Sequence, residues 1–434
     1  MTRSLLVAAV CGLLAAPGAL ADSGKSGHVP PPSKSDGLAY QPIDGIEQFA
    51  SNLTTAGDQL TGGWYDPKIC VKGYCVFSNP WISNGRGMAL VTSPENMQKV
   101  KRLQEHYKNP DHNRWTPRSS KAPPFYEEEI PGEGYRYVAN ETIKRGDELM
   151  SWTPVLIVHK RFFHDVANED QATLLASAVQ LLPQDTREKF KRQVHTANAA
   201  KTNTLREVVE RHSFESALGY KFSAGETTME THFVNYPEVS ALRHSCRPSA
   251  AFYIDNLHVH RTTAARKMAP GDEVTLTYID PFQTRAERQK SLIKWRGFGC
   301  TCKHCLGNGM LDNLGKSDAN ILEIKRIEKS LKDHDSTDVT TEMIGRLVEL
   351  YKEEGLQARM SDAYELVALN YNNLGYPKRA IKYANLGAQA AVVERGRDAN
   401  DGIALRILAK DPEGHYSYRA RIKKNPKLAQ AGSK

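Results

Sequence analysis

Leu242-Arg-His-Ser-Cys-Arg-Pro-Ser249 is followed by Gly271-Asp-Glu-Val-Thr-Leu-Thr-Tyr278 and then by Cys300-Thr-Cys-Lys-His-Cys305. Three cysteines in C-x-C-x2-C spacing cannot complete a tetrahedral zinc site by themselves, and the other cysteine nearby in sequence is Cys246. The spacing predicts a loop closed by metal, with Cys246, Cys300, Cys302 and Cys305 as structural ligands and no open position for catalysis. Disulfide pairing is the competing outcome, although the triplet offers poor geometry for several separate bridges, and His304 is an alternative ligand. Within the loop, Gly271-Asp272 is a turn signal. Val274, Leu276 and Tyr278 then alternate with Glu273, Thr275 and Thr277, as in a half-buried strand with Tyr278 at its end.

Working outward, Tyr236-Pro-Glu-Val-Ser-Ala-Leu-Arg-His-Ser-Cys-Arg-Pro-Ser249 resembles the Tyr-Pro-x-x-Ser-x-Leu-Asn-His-Ser-Cys-x-Pro-Asn segment of SET domains, the lysine methyltransferase fold. Gly271 to Tyr278 is similar to that family's Gly-Glu-Glu-x-Thr-x-x-Tyr strand, and Trp295 to Cys305 to its cysteine-rich post-SET tail. Upstream, Ile130-Pro-Gly-Glu-Gly-Tyr-Arg-Tyr-Val138 followed by Ile143-Lys-Arg-Gly-Asp-Glu-Leu149 resembles the opening of the domain, with Gly85-Arg-Gly87 a rival for the Gly-x-Gly turn. The resemblance is to SMYD-like and fungal SET proteins, without a cysteine-rich MYND finger. It implies an α+β SET fold with a helical insert, a zinc-binding post-SET segment and an α-helical, TPR-like C-terminal domain.

The same resemblance implies an S-adenosylmethionine-dependent protein-lysine N-methyltransferase acting on a protein substrate. Tyr278 would orient the acceptor nitrogen, and Tyr253 would be a second channel tyrosine. Gly132, Gly134, Tyr135, Arg243, His244 and Phe298 would contact S-adenosyl-L-methionine, the glycines because a residue without Cβ lets backbone approach a ligand closely. Two departures bear on activity: Arg243 and Ser249 stand where the family has asparagine. A guanidinium beside a sulfonium cannot make the neutral contact of an amide. The alternative is a SET-fold binding module that has lost catalysis.

The rest of the 434 residues sets the context. Met1 to Ala21 has Arg3, an apolar run from Leu5 to Ala16 and Ala19-Leu-Ala21, the layout of a signal peptide, which predicts a secreted or secretory-pathway protein. Residues 22–40 read as a disordered linker, 41–124 as a small α/β region with a helix over 43–60, and 109–124 as a boundary. Residues 125–282 read as the SET domain with an insert at about 160–215, 283–310 as the post-SET segment and 316–434 as the helical domain. There Tyr364, Val367, Ala368, Tyr371, Ala380 and Gly387 fit one tetratricopeptide-like pair, a place for a peptide partner, or a plain bundle. Cys70 and Cys75 are left as a disulfide or two thiols, and Asn52 and Asn140 begin glycosylation sequons. The net charge of +8, from 58 basic and 50 acidic residues, is spread along the chain, so no nucleic-acid site is expected; no apolar run is long enough to span a membrane.

Overall fold

Short runs rich in β-branched and aromatic residues fill the first two thirds of the chain, and a long stretch free of proline follows; strands and helices divide accordingly. The computed structural model describes residues 58–60, 62–66, 68–113, 122–131, 134–193, 205–218, 231–307 and 312–424. The expected signal peptide and linker, Asn52, Gly132 and positions 43–57 of the expected first helix lie outside the described residues. Positions 58–60, expected to finish that helix, are strand β1 (Asp58–Leu60) instead, paired antiparallel with β2 (Trp64–Asp66). Gly62 and Gly63, both at positive φ, turn the chain back between them.

β3 (Cys70–Val71) and β4 (Tyr74–Asn79) form a hairpin joined by a Cys70–Cys75 disulfide. β5 (Met88–Thr92) follows, then α1 (Pro94–Arg102), capped by the Ser93 side chain accepting from the Asn96 amide. β6 (Phe125–Ile130), β7 (Gly134–Ala139), β8 (Glu148–Trp152) and β9 (Leu156–His159) come next. β5 pairs parallel with β9 through Ala89–Leu156, Leu90–Ile157 and Val91–Val158. The expected boundary at 109–124 therefore does not separate two folding units. Every residue of β5 and β9 is buried, so each strand needs partners that its own local hairpin cannot supply.

The insert forms α2 (Asn168–Gln180), α3 (Gln184–Arg192) and α4 (Leu205–His212). Leu174, Leu175, Ala178, Val208 and Val209 pack on Val76, Val91 and Val158, covering one face of this sheet. β10 (Ser213–Ala217) and β11 (Thr231–Asn235) complete it in the order β1-β2-β4-β5-β9-β11-β10, with β3 on β4. After a 3-10 turn at Pro237–Ala241 come β12 (Arg243–His244), β13 (Ala250–Ile254), β14 (His260–Ala264) and β15 (Glu273–Leu276). They build two smaller sheets, β12-β15-β7-β6 and β13-β14-β8.

α5 (Arg285–Arg296) begins with a capping box, Thr284 and Glu287, and ends at Gly297 in the left-handed conformation. Beyond the cysteines, α6 (Asp312–Lys332), α7 (Thr341–Glu353), α8 (Met360–Asn373), α9 (Pro377–Arg395) and α10 (Asn400–Lys410) form a helical region around Ile324, Leu347, Tyr351, Val367 and Tyr371. α8, α9 and α10 meet tightly at Gly387, where a Cβ would lie 2.8 Å from Leu405 and 3.2 Å from Tyr364. No described helix is long and apolar enough to cross a membrane.

Candidate functional site

β15 is the strand that gathers the site. On one side β12 pairs with it in parallel, Arg243 opposite Thr275 and His244 opposite Leu276; on the other β7, which starts at Gly134-Tyr135, pairs antiparallel. Chain segments far apart in sequence thus lie in one sheet, and the Ser249 hydroxyl ties the crossing. It donates to the Glu273 carbonyl at 3.0 Å and accepts from the Thr275 amide at 2.8 Å. Ser249 is fully buried, so both bonds replace water that cannot reach it.

Tyr278 follows β15 directly. Its hydroxyl donates to the Leu242 carbonyl at 2.6 Å, and its amide donates to His244 Nδ1 at 3.1 Å. Since Nδ1 accepts, the imidazole proton belongs on Nε2, which lies 3.4 Å from Cys246 Sγ. Burial holds the Tyr278 phenol up at about 12, and burial pushes His244 down to about 4, so both are neutral at pH 7. A phenol committed as donor to a carbonyl leaves oxygen lone pairs for an N–H beside it.

Tyr278, Tyr135, Arg243, His244 and Phe298 line one cleft of about 1170 Å³. Gly134, at φ 92, opens the strand that carries Tyr135. A smaller cavity of about 360 Å³ adjoins it and shares Tyr135 and Ser240. Tyr253 is not brought to this cleft. It packs toward the helical region, where a Cβ on Gly396 would lie 2.7 Å from its ring. Strand alternation is the reason, since its neighbour Phe252 takes the face that lines the cleft. The aromatic that meets Phe252 there is Phe214 on β10, ring centroids 5.0 Å apart. Nothing local in the sequence marks Phe214; only the β10–β11 pairing carries it in.

Cys246, Cys300, Cys302 and Cys305 have free thiols whose sulfurs all lie within 4.8 Å of one another. Cys246 is 3.8 Å from Cys300 and 3.4 Å from Cys305. Sulfurs around one tetrahedral ion at a bond length of about 2.3 Å stand about 3.8 Å apart, so the donor set fits a metal ion. These are not disulfide distances, and the pairing alternative fails. His304 points elsewhere, its Nε2 2.9 Å from Ser317 Oγ. Gln289 on α5 holds Cys300 through both its amide and its carbonyl, each at 2.8 Å, and Arg285 donates to the Cys305 carbonyl. Arg288, 1% exposed, was not legible as a site residue; burial opposes its charge, and the Cys246 and Cys305 thiols beside it favour that charge.

The cleft is rich in charge. Every acid along it has a cation of its own: Glu273 with Arg243, Glu354 with Arg247, Asp272 with Arg266, Glu215 with Lys160 and Glu353 with Arg346. Arg296 lies over the Tyr278 ring, 5.0 Å from its centroid, and donates to the Arg211 carbonyl.

Residues 134–279 match the family model described as the SET domain. Among curated proteins the chain is similar to a SET and MYND domain-containing protein of Dictyostelium discoideum, 32% identical over 73 residues, 17% of this chain and 21% of that one. It is also similar to the histone-lysine N-methyltransferase SMYD3 of Mus musculus, 32% identical over 97 residues and 22% of each chain. The histone-lysine N-methyltransferase set5 of Schizosaccharomyces pombe is 23% identical over 304 residues, 66% of this chain and 83% of that one. The matched segment spans 21% and 22% of the length of the first two relatives. A solved structure of Rubisco LSMT bound to AdoMet aligns at 12% identity over 78% of this chain and 94% of that one, with a TM-score of 0.24, too loose to carry argument. The family match, together with the gathering of Tyr135, Arg243-His244, Tyr278 and the four cysteines about β15, shows that residues 134–279 of this chain are a SET domain.

Proposed function

We propose that this protein is a protein-lysine N-methyltransferase that uses S-adenosyl-L-methionine and carries structural zinc on Cys246, Cys300, Cys302 and Cys305. One observation carries the reading: Tyr278, its phenol bonded to the Leu242 carbonyl, shares a cleft with Tyr135, Arg243, His244 and Phe298. Gly134, Tyr135, the Arg243-His244 backbone and Phe298 are the residues that would hold the cofactor, which supplies a methyl group carried on a sulfonium. The chain's own part is positioning and water exclusion. Tyr278 accepts from the amine N–H and aims its lone pair, while Phe214 and Phe252 provide an apolar wall that favours the neutral amine. The four cysteines and Leu292 of α5 pack against Phe298 where it lines the cleft. Tyr253, which does not line the cleft, has no part in this channel.

Arg243 favours a second reading, a SET-fold binding module without catalysis, because its guanidinium stands where a neutral amide would suit a cationic cofactor. Its pairing with Glu273 offsets that charge and supports the enzyme. Calorimetric titration of S-adenosylmethionine into the zinc-assayed full chain separates them. Binding followed by methylation of a lysine peptide supports the enzyme; a zinc-loaded chain that binds no cofactor leaves the binding module. We also propose a secretory-pathway address, supported by the Met1 to Ala21 pattern, the Cys70–Cys75 disulfide and the exposed Asn140 sequon. For the α8–α9 pair we retain the TPR-like reading with a peptide partner.

A further inference from the structure

The charges along the cleft do not cancel. Each acid that lines it is already paired, whereas Arg211, Arg296 and Lys303 have no carboxylate partner among the described residues. Two of these cations stand together: Arg296 donates to the backbone carbonyl of Arg211, so the guanidiniums share one wall without a counter-charge between them. The same wall holds unmet hydrogen-bond capacity. Arg211 Nη1 and His212 Nε2 are buried and lack partners among the described residues. Desolvated guanidiniums in this state attract carboxylates through charge-assisted, two-pronged hydrogen bonds and repel other cations. Arg296 is also the group that packs on Tyr278, so the uncompensated charge lies beside the position to which an acceptor lysine is brought.

We propose that the cleft selects a lysine flanked by aspartate or glutamate, Arg211 and Arg296 receiving the flanking carboxylates. This rests on the lysine-methyltransferase reading and narrows its substrate class to acidic segments. Lysines set among other basic residues are disfavoured, because each added cation meets Arg211, Arg296 and Lys303.

The test uses the zinc-loaded full chain and three dye-labelled peptides with one central lysine, flanked by glutamates, glutamines or lysines. Binding is read by fluorescence anisotropy at two salt concentrations, and methyl transfer is followed separately by mass. The acidic peptide is expected to bind about tenfold more tightly than the neutral one at low salt, the gap narrowing as salt rises, with the basic peptide weakest. In R211Q and R296Q the acidic-to-neutral ratio should fall toward one, a ratio taken within each variant and so independent of its overall activity. Equal binding of the three wild-type peptides, or preference for the basic one, overturns the proposal even where a variant fails to fold. Acidic preference in binding without methylation of any peptide leaves this inference standing and removes the enzyme reading instead.

Discussion

Tyr278 and Ser249 carry the most at the scale of single residues. Replacing Tyr278 with phenylalanine keeps the ring that Arg296 and His244 pack against but removes the bond to Leu242 and the oxygen we propose to orient the amine. We expect methyl transfer to fall by about 100-fold or more, with cofactor affinity from calorimetry little changed. Ser249 departs from the family's asparagine, yet its hydroxyl serves both Glu273 and Thr275. S249A removes the partner of a part-buried carbonyl and a part-buried amide, and urea unfolding should report a loss of about 1–3 kcal/mol. The cysteines, Tyr278 and Arg243 can be picked out from sequence because each sits in a linear motif. That Phe214 and Phe252 line the cleft and Tyr253 does not depends on strand phase and long-range pairing, which no neighbouring residue encodes.

Among the elements, α5 is the support of the cysteine cluster. Its capping box sets the start, Gly297 ends it, and Gln289, Arg285 and Arg288 reach from it to the cysteines. Four thiolates around a divalent ion leave a net negative centre, which the buried Arg288 offsets. R288L should weaken metal retention by about 10-fold to 100-fold, read as the rate of zinc release to a chromogenic chelator. The capping residues predict where such a helix starts and stops, but Arg288 gains its meaning from Cys246, which lies 42 positions earlier in the chain. Sequence spacing could not show that contact.

Across the whole molecule, a buried pair helps tie the helical region to the motif loop. Arg247, next to Cys246, donates to the Glu354 carboxylate at 2.8 Å, and Glu354 also accepts from Ser317 at 2.8 Å and from Asn320 at 2.9 Å. E354A would leave the Arg247 charge buried and unpaired, and chemical denaturation should show a loss of about 3–5 kcal/mol. Acid should act on the packed core as well. Burial pushes His258 down to about 4 and His260 down to about 3, below the ordinary value of 6.5. The unfolded chain therefore binds protons that the native state refuses. Stability present above pH 6.5 is lost as pH falls, each histidine adding a slope of up to about 1.4 kcal/mol per pH unit until its folded value is passed. Glu238 runs the same way lower down: held at about 2 against burial by Arg86, it contributes above pH 4.5 and loses that contribution between there and about 2. Urea midpoints measured from pH 7 to pH 3 check the sign; a midpoint that rises on acidification contradicts it.

By itself the sequence determined the motif set, its order and its donor chemistry. Cys246 with the Cys300-x-Cys-x2-Cys triplet, Tyr278 at the end of an alternating strand and the helical stretch with its long runs free of proline are all properties of local residue type and spacing. Tertiary structure alone decided which side chains share the cleft. It also decided that strands β1 to β5 belong to the same sheet as β9, and that three cleft cations are left without acids among the described residues. The reason is physical: periodicity and caps are written within a few residues, whereas the register of a parallel pair, the face a strand turns inward and the pairing of charges arise from contacts between segments tens to hundreds of residues apart.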